Sequence, residues 1–578
     1  MRTWTIGLLA GLGLSLSAQA DWIEDSDRYA MQILRASAAL QPESIAGVGI
    51  SDYDEEVMDL GPNIFERRQQ LLRSNEASLQ VWLKSEEDPK VRQDLQIMLE
   101  DVQADLASNQ LHRDMMLPYN DVHGAIYGSF NSLLDPRNEA SRYPAALARL
   151  AKYTGQEDGY QPITELAKAR TQERFDVPGL LGPYTAELET DLGNAPRYIE
   201  GIRVLFERAE LEGWEENFAI LTDQLNDYEQ WLRDEMVPRA REDNRLPEAI
   251  YADNLRNFGV NDSPEALIAQ AQYSYQLLRS EMKALAVQIA DKRGWDDKDL
   301  VSVIKALKKE QIAPEDVLKT YQDRLLVIED IIRREDLITL PERDAVIRVA
   351  TEAESAAIPA SFMSPPQLVN NTGQYGEFVL VQTNPGLEGD DAVMDDWSHD
   401  AIVWALTVHE ARPGHELQFA SLVENGTSLA RALFAFNSAN AEGWGLYAES
   451  IMHEFLPLEG QLFNLYTRIM RAARMFLDPM VNTGQMTHDG ARDFLVEQLA
   501  LSLPMASSEA DRYAFWAPGQ ATSYYYGYIS LMRLRTEVEI ATGAAFNQRE
   551  FHDFILEQGL LPPDLLRAAV LERFAPGA

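Results

Sequence analysis

The segment VHEARPGHELQ, residues 408–418, contains two histidines and a glutamate whose side chains could hold and use a metal ion. His409 is followed directly by Glu410, and His415 comes six positions after the first histidine. In the H-E-x-x-H segment of zinc peptidases, the two histidines bind the ion and the glutamate serves as general base. The same residue types here predict a zinc site with Glu410 as the base, although two histidines on a helix can also be purely structural.

The spacing of these histidines differs from the usual one. Positions six apart on a regular helix point about 120° away from each other, so a straight helix cannot bring both imidazoles to one ion. Pro413 has no N–H to donate to the carbonyl of His409, and Gly414 tolerates unusual backbone conformations. We therefore expect the helix to break or bulge at Pro413 and Gly414, which would let His415 turn back toward the first histidine.

A second segment, NSANAEGWGLYAESIMHEF at residues 437–455, has the periodicity of a helix. Glu442, Glu449 and His453 fall on one face of this helix, because they are separated by seven and four positions. Two carboxylates and an imidazole are expensive to bury without partners, and Trp444 beside them makes a solvated face a poor explanation. The segment predicts either a metal site or a buried polar network.

The sequence resembles the bacterial proteins grouped as domain of unknown function 885. The resemblance rests on four blocks, which are VHEARPGHELQ, AEGWGLYAE, PGQATSYYYG with its trailing LMRLR, and the upstream stretch from LPERDAVIRVAT to GEFVLVQTN. Members of that family are similar to zincins with the architecture of helical, cleft-bearing oligopeptidases. The resemblance implies a mainly α, multi-helical zincin-like fold with a substrate cleft.

The resemblance also implies roles for the matching residues. They are the metal ligands His409, His415 and Glu442, the general base Glu410, an oxyanion-stabilising Tyr524 and a substrate-binding Arg535. Beside these we expect Gln520 to contact the substrate, and Glu449 and His453, from the helix face described above, to support the metal ligands. Many relatives carry a further histidine directly after the second one, where this chain has Glu416. If that histidine is the true ligand in the family, Glu416 would have to replace His415 here.

The amino-acid composition limits which side chains could bind a metal ion and which molecules could bind the protein. The chain has no cysteine and eight histidines, so a transition metal must be held by imidazole and carboxylate groups. Its 92 acidic and 51 basic residues give a formal charge of −41, which argues against nucleic acid as a partner, because phosphates need a basic surface. Solubility explains this charge better than attraction of cationic substrates does.

The first twenty residues, MRTWTIGLLAGLGLSLSAQA, have the pattern of a secretory signal peptide, with Arg2, an apolar run and a small-residue end at Ala20. The apolar run is shorter than the roughly 20 residues that a membrane helix needs, and no cysteine follows it for lipid attachment. We expect cleavage after Ala20 and a periplasmic or secreted protein without a membrane anchor.

Helical periodicity dominates residues 21–340, which we expect to form one wall of the cleft. Residues 345–351 and 376–384 are β-branched and partly alternating, which predicts a small sheet beside the active-site helix. Helical periodicity then resumes at Trp397 and continues nearly to the end. We expect residues 341–578 to form the catalytic region.

These observations predict a zinc peptidase that hydrolyses oligopeptides or dipeptides in the cell envelope. The strand at 376–384 could pair a free edge with an extended peptide. Two alternatives remain open at this point: a degenerate zincin that only binds peptides or a partner, and a metal-dependent hydrolase of a non-peptide amide. The sequence decides neither the cleavage mode nor residue preference nor oligomeric state.

Overall fold

The computed structural model describes residues 11–358, 360–382 and 394–576. Half of the expected signal peptide, residues 1–10, lies outside the described residues, and Gly11–Ser37 form the first helix. Within the described ranges, no helix combines the length and the apolar character that crossing a membrane requires.

The described part of the chain contains 23 α-helices and three short strands, so the mainly helical fold is confirmed. The helices before the sheet are Gly11–Ser37 (α1), Pro42–Gly47 (α2), Ile64–Ser85 (α3), Pro89–Met115 (α4), Val122–Leu133 (α5), Ala145–Thr154 (α6), Ile163–Gln172 (α7), Thr185–Arg208 (α8), Glu215–Trp231 (α9), Glu248–Asn257 (α10), Pro264–Arg293 (α11), Leu300–Lys308 (α12) and Pro314–Arg334 (α13).

The remaining elements surround and follow the sheet. They are Val346–Val349 (β1), Glu352–Ala357 (α14), Phe362–Ser364 (β2), Glu377–Leu380 (β3), Asp400–Leu406 (α15), His415–Ser421 (α16), Ser438–Met452 (α17), Leu458–Asn482 (α18), His488–Leu499 (α19), Leu503–Asp511 (α20), Gln520–Thr542 (α21), Gln548–Glu557 (α22) and Pro563–Phe574 (α23).

Helix α11 shows why these boundaries fall where they do. The hydroxyl of Ser263 accepts a hydrogen bond from the N–H of Ala266, and Pro264 occupies the first turn, where its missing N–H costs nothing. Gly294 ends the helix in the left-handed conformation, with φ 69°. These residues therefore delimit the helix as the sequence predicts.

The small sheet has the order β1-β3-β2, with β1 parallel and β2 antiparallel to β3. Phe378 of β3 is paired with Ile347 on one side and with Met363 on the other. The prediction that the strand at 376–384 has a free edge is therefore wrong, since β3 is the central strand. The pattern missed β2, because three residues directly before two prolines are too short to show alternation.

The hydrophobic core that contains the helices of the C-terminal half crosses the boundary expected at residue 340. Met282 and Ile289 of α11 belong to the same buried cluster as Ile469 and Met470 of α18. A second cluster is built from residues 117–236 together with Ala353. Helix α18, which is buried along nearly its whole length, therefore forms the centre of the C-terminal half.

Helices α17 and α21 approach each other closely where each has a glycine. A Cβ on Gly443 would lie 2.6 Å from the carbonyl carbon of Gly527, and a Cβ on Gly527 would lie 1.8 Å from the carbonyl oxygen of Ala439. A larger residue at either glycine would push the helices apart, since packed interiors tolerate little extra volume. This contact fixes α17 against α21.

We predict that Gly527→Ala lowers the free energy of unfolding by about 1–3 kcal/mol, because the new methyl group has no room. The matched control is Gly193→Ala in α8, where no atom lies within 4 Å and the glycine is exposed. We expect Gly193→Ala to raise the free energy of unfolding by about 0.5–1 kcal/mol, because alanine is the better helix former. Urea unfolding measures both, and equal shifts would contradict the close contact.

Candidate metal centre

The backbone between the two histidines is not a regular helix. After α15, residues Thr407–Ala411 form a π-helical turn, Arg412 is extended, and α16 begins at His415. A Cβ on Gly414 would lie 1.9 Å from the carbonyl oxygen of His409, so only glycine fits where the chain turns back. The break lies where the proline and glycine predict it, and it allows the histidines to face one another.

His409, His415 and Glu442 form a cluster whose ligand atoms all lie within 4.8 Å of one another. Glu442 Oε2 is 3.5 Å from His409 Nε2 and 3.3 Å from His415 Nε2. The two imidazole rings are nearly perpendicular, at 86°, with centroids 4.7 Å apart. The backbone of α16 and the packing of α17 thus bring together three residues from two sequence segments.

The cluster fits a zinc ion by donor type and by spacing. Catalytic zinc is held by three protein ligands, and two imidazoles with one carboxylate are one of the common sets. With bonds of about 2.0–2.2 Å, ligand atoms of a tetrahedral site stand roughly 3.3–3.5 Å apart. The two distances from Glu442 Oε2 agree with this value.

His409 is held in place from behind by Glu449. Its Nδ1 is 2.8 Å from Glu449 Oε1, and the hydroxyl of Thr467 donates to the other oxygen of that carboxylate. A Cβ on Gly445 would lie 2.6 Å from Cε1 of His409, so the imidazole packs directly on the backbone of α17. A carboxylate on Nδ1 fixes the tautomer and leaves Nε2 free to bind a cation.

Charges within the cluster favour a cation. Burial lowers the pKa of His409, but the carboxylates of Glu442 and Glu449 outweigh it and raise this pKa to about 9. Burial also raises the pKa of Glu442, yet its contacts with His409 and His415 hold that pKa well below the ordinary value. The carboxylate is therefore anionic, and its negative charge favours a cation between it and the imidazoles.

Glu410 lies beside the cluster as a buried carboxyl group. The residue is 7% exposed, and its side chain has no hydrogen-bond partner among the residues that the structure describes. Burial raises the pKa of Glu410, and the neighbouring His409 and His415 act against this rise. A carboxyl group with a raised pKa and free oxygens is suited to take up a proton.

Tyr524 is surrounded by three arginines that the sequence analysis did not single out. The guanidinium carbons of Arg474, Arg512 and Arg471 lie 4.7, 5.2 and 5.9 Å from its ring centroid. Arg512 also donates a 2.8 Å hydrogen bond to the hydroxyl oxygen of Tyr524. Burial raises the pKa of Tyr524, with Arg512 acting against it, so the phenol keeps a proton that it can donate.

The sequence contained a signal for two of these arginines. Arg468, Arg471 and Arg474 recur every three residues along α18, which is otherwise largely apolar. A stripe of guanidinium groups on a buried helix needs anionic or polar partners. Arg512 has no such signal, because it begins a separate π-helical turn, Arg512–Trp516.

Gln520 lies next to Tyr524 but contacts protein groups. Its side-chain oxygen accepts a hydrogen bond from Arg512, and its nitrogen donates a 2.9 Å bond to the hydroxyl of Ser438. Gln520 therefore positions Arg512 against Tyr524 and links α21 to α17.

Glu416 is directed away from the cluster. One of its oxygens accepts a 2.8 Å hydrogen bond from Arg412 Nε, and the other accepts a 2.7 Å bond from Arg343. Arg412 also binds Glu329 of α13 at 2.6 Å. His415 therefore lies beside His409 and Glu442, whereas Glu416 is paired with Arg412 and Arg343.

Arg535 and His453 are not brought to the three ligands. Arg535 donates a 2.7 Å hydrogen bond to Glu539 and a 3.2 Å bond to the hydroxyl of Tyr447. His453 lies 3.1 Å from the side-chain oxygen of Asn464. The sequence spacing predicts His453 on the same helix face as Glu442 and Glu449. The structure does not place His453 at the cluster, because α17 ends at Met452 and His453 begins a 3₁₀ turn.

A cavity of about 800 Å³ lies between the N-terminal helices and residues 514–518. Its walls include Arg113, Tyr119 and Arg241 from the N-terminal region, with Phe515 and Pro518 opposite. None of the three clustered ligands lines it, since they are themselves largely buried. The cavity adjoins the segment that joins Arg512 to Gln520.

Comparison with known proteins identifies a family and a fold. The family described as "Bacterial protein of unknown function (DUF885)" matches residues 42–570. A "putative lipoprotein" from Colwellia psychrerythraea is 16% identical, with a TM-score of 0.77 over 96% of this chain and 99% of that one. A "putative lipoprotein of unknown function" from Shewanella oneidensis is 18% identical, with a TM-score of 0.71 over 94% and 99%.

More distant comparisons add little. A "putative oligoendopeptidase F" from Bacillus anthracis aligns at 9% identity with a TM-score of 0.26, over 87% of this chain and 95% of that one, which is too low to carry an argument. No protein with a curated description matches the sequence.

We predict that Glu449→Gln weakens zinc binding about 10–100-fold, because an amide orients and polarises the imidazole of His409 less well than a carboxylate does. The control is Glu454→Gln, which changes an exposed carboxylate just after α17. Competition with a chromogenic chelator measures the dissociation constant of zinc for both. An unchanged constant in Glu449→Gln would show that this carboxylate does not support the site.

Proposed function

We propose that this chain, which belongs to the DUF885 family of bacterial proteins, is a zinc-dependent peptidase with a zincin-like active site that hydrolyses oligopeptides or dipeptides. The observation that carries the proposal is the cluster of His409, His415 and Glu442, with Glu442 Oε2 at 3.5 and 3.3 Å from the two Nε2 atoms. The spacing and chemistry of these donors, with the buried carboxyl of Glu410 beside them, support a catalytic rather than a structural metal site, since three protein ligands would leave a fourth position for water.

The three ligands act through different atoms. His409 and His415 would bind the ion through Nε2, and Glu442 would bind it through Oε2. When bound, zinc supplies Lewis-acid polarisation of the scissile carbonyl and lowers the pKa of water toward 7. Glu449 keeps the lone pair of His409 Nε2 directed at the ion.

Glu410 moves the proton. It takes a proton from the attacking water as the C–O bond forms, and it passes this proton to the amine as the C–N bond breaks. Its oxygens have no competing hydrogen bond among the described residues, and burial raises its pKa, although His409 and His415 act against this rise.

Tyr524 supplies a hydrogen bond for the oxyanion. Because its hydroxyl oxygen accepts a hydrogen bond from Arg512, the hydroxyl proton is directed elsewhere and is available to a developing negative charge. The three arginines around its ring add positive potential at the same place.

An envelope location accompanies the proposal. The N-terminal twenty residues have the signal-peptide pattern, and the two structures of similar fold are described as putative lipoproteins. This chain has no cysteine to carry a lipid, so we place it in the periplasm or outside the cell.

We predict that Glu410→Gln binds zinc as the wild type does and loses about 10²–10⁴-fold in kcat, because the amide cannot accept the proton. Glu442→Ala should lose both zinc and activity, since it removes a ligand. Elemental analysis and peptide hydrolysis measure the two properties. The control is Glu557→Gln, an exposed carboxylate at the end of α22 that should change neither.

The function itself is tested with a mixed peptide library. We expect the purified full-length protein to contain one zinc per chain and to shorten peptides, as seen by mass spectrometry, and we expect a chelator to abolish cleavage and added zinc to restore it. Protein without stoichiometric zinc would instead favour a peptide-binding module. Zinc without peptide cleavage would favour hydrolysis of another amide.

A further inference from the structure

Among the residues that the structure describes, Arg471 is a buried cation with no carboxylate within hydrogen-bond distance. The residue is 4% exposed, and its one hydrogen bond is a 3.4 Å contact from Nη1 to the carbonyl oxygen of Thr467. Its Nε is buried and has no hydrogen-bond partner in the described part of the chain. Arg474, one turn further along α18, is instead paired with Glu509 at 2.7 Å.

The nearby carboxylates are already engaged. Glu449 binds His409 and Thr467 with its two oxygens, and Glu442 lies between the two imidazoles. Arg471 feels their charge, yet neither comes within hydrogen-bond distance of it among the described contacts. A buried guanidinium that is left unpaired is costly, so this position is prepared for an anion that arrives from outside.

Arg471 lies next to the groups proposed to react. Its guanidinium carbon is 5.9 Å from the ring centroid of Tyr524, and its charge acts on the carboxyl of Glu410. An extended peptide advances about 3.3–3.6 Å per residue. A carboxylate bound by Arg471 therefore belongs to a residue one or two positions beyond the scissile bond.

Access to the site favours a chain end over the middle of a chain. His409, Glu410 and His415 are 2%, 7% and 7% exposed, so little of the cluster is open to solvent. An internal peptide bond must bring chain in on both sides, whereas a terminal bond needs room for one or two residues on one side. The burial and the unpaired cation therefore favour the same kind of substrate.

We propose that Arg471 binds the C-terminal carboxylate of the peptide substrate, so that the enzyme removes one or two residues from the C-terminus of short peptides. The assignment rests on the proposed peptidase function. It replaces Arg535 in this role, because Arg535 is hydrogen-bonded to Glu539 and Tyr447. Arg512 is engaged with Tyr524 and Gln520, and Arg474 with Glu509, which leaves Arg471 as the free guanidinium of the three.

The first test compares two substrates that differ only at the C-terminus. N-acetyl-Ala-Ala-Phe is offered to the zinc-loaded protein as the free acid and as the C-terminal amide. Because a buried charge-assisted pair is lost with the amide, we expect kcat/KM for the acid to be higher on the order of 100-fold. Equal rates for the two peptides would overturn the proposal while leaving the peptidase function in place.

The second test uses matched arginine variants. Arg471→Gln should reduce the acid-to-amide ratio to near one, and Arg471→Lys should retain part of it, because lysine keeps the charge and loses the planar fork. Arg535→Gln is the control and should keep the wild-type ratio. Loss of the ratio in Arg535→Gln, with retention in Arg471→Gln, would assign the carboxylate to the other arginine.

A binding measurement separates this proposal from the proposed function. Calorimetry with the same acid and amide peptides on Glu410→Gln protein requires no turnover. Tighter binding of the acid, on the order of 100-fold, supports the role of Arg471 even if no hydrolysis is found, in which case the peptidase function fails alone. Equal binding of the two peptides, or binding of neither, overturns the carboxylate site.

Discussion

Two imidazoles and a carboxylate meet inside this protein only because the backbone turns back between His409 and His415. A continuous helix would direct the two rings about 120° apart. The π-helical turn, the extended Arg412 and the tight passage at Gly414 remove that difference within six residues. All of the chemistry considered above depends on this local change of direction, and the surrounding helices serve to hold it.

The support for the turn comes from packing around it. Helix α17 carries Glu442 and Glu449 on one face, so that one carboxylate lies in front of His409 and the other lies behind it. Thr467 of helix α18 donates a hydrogen bond to Glu449, and Arg474 of the same helix lies over the ring of Tyr524, which belongs to α21. Because α17 and α21 touch at Gly443 and Gly527, backbone contact holds the helix that carries Glu442 against the helix that carries Tyr524.

The helix ends and the break between the two histidines can be predicted from the sequence, because they depend on local residue chemistry, whereas features set by tertiary contacts cannot. Helix ends such as Ser263 and Gly294 are local, and the break at Gly414 follows from residue chemistry. The pairing of Arg535 with Glu539 and the lack of a carboxylate partner for Arg471 among the described residues are not predictable from the sequence, since arginine is common on surfaces and its role depends on which carboxylates the fold brings near. The central position of β3 was missed for a similar reason, because strand order is set by tertiary contacts.

Glu416 follows His415 directly in the chain, and its ion pairs connect the turn to α13 through Arg412 and Glu329. Arg343 completes this buried group of alternating charges. A neutral residue at position 416 would leave Arg412 paired with Glu329 and Arg343 paired with Glu424, so each guanidinium would keep one carboxylate and only the link between the two arginines would be lost. Glu416 is therefore the bridge through which the turn, helix α13 and the segment before β1 hold one another in place.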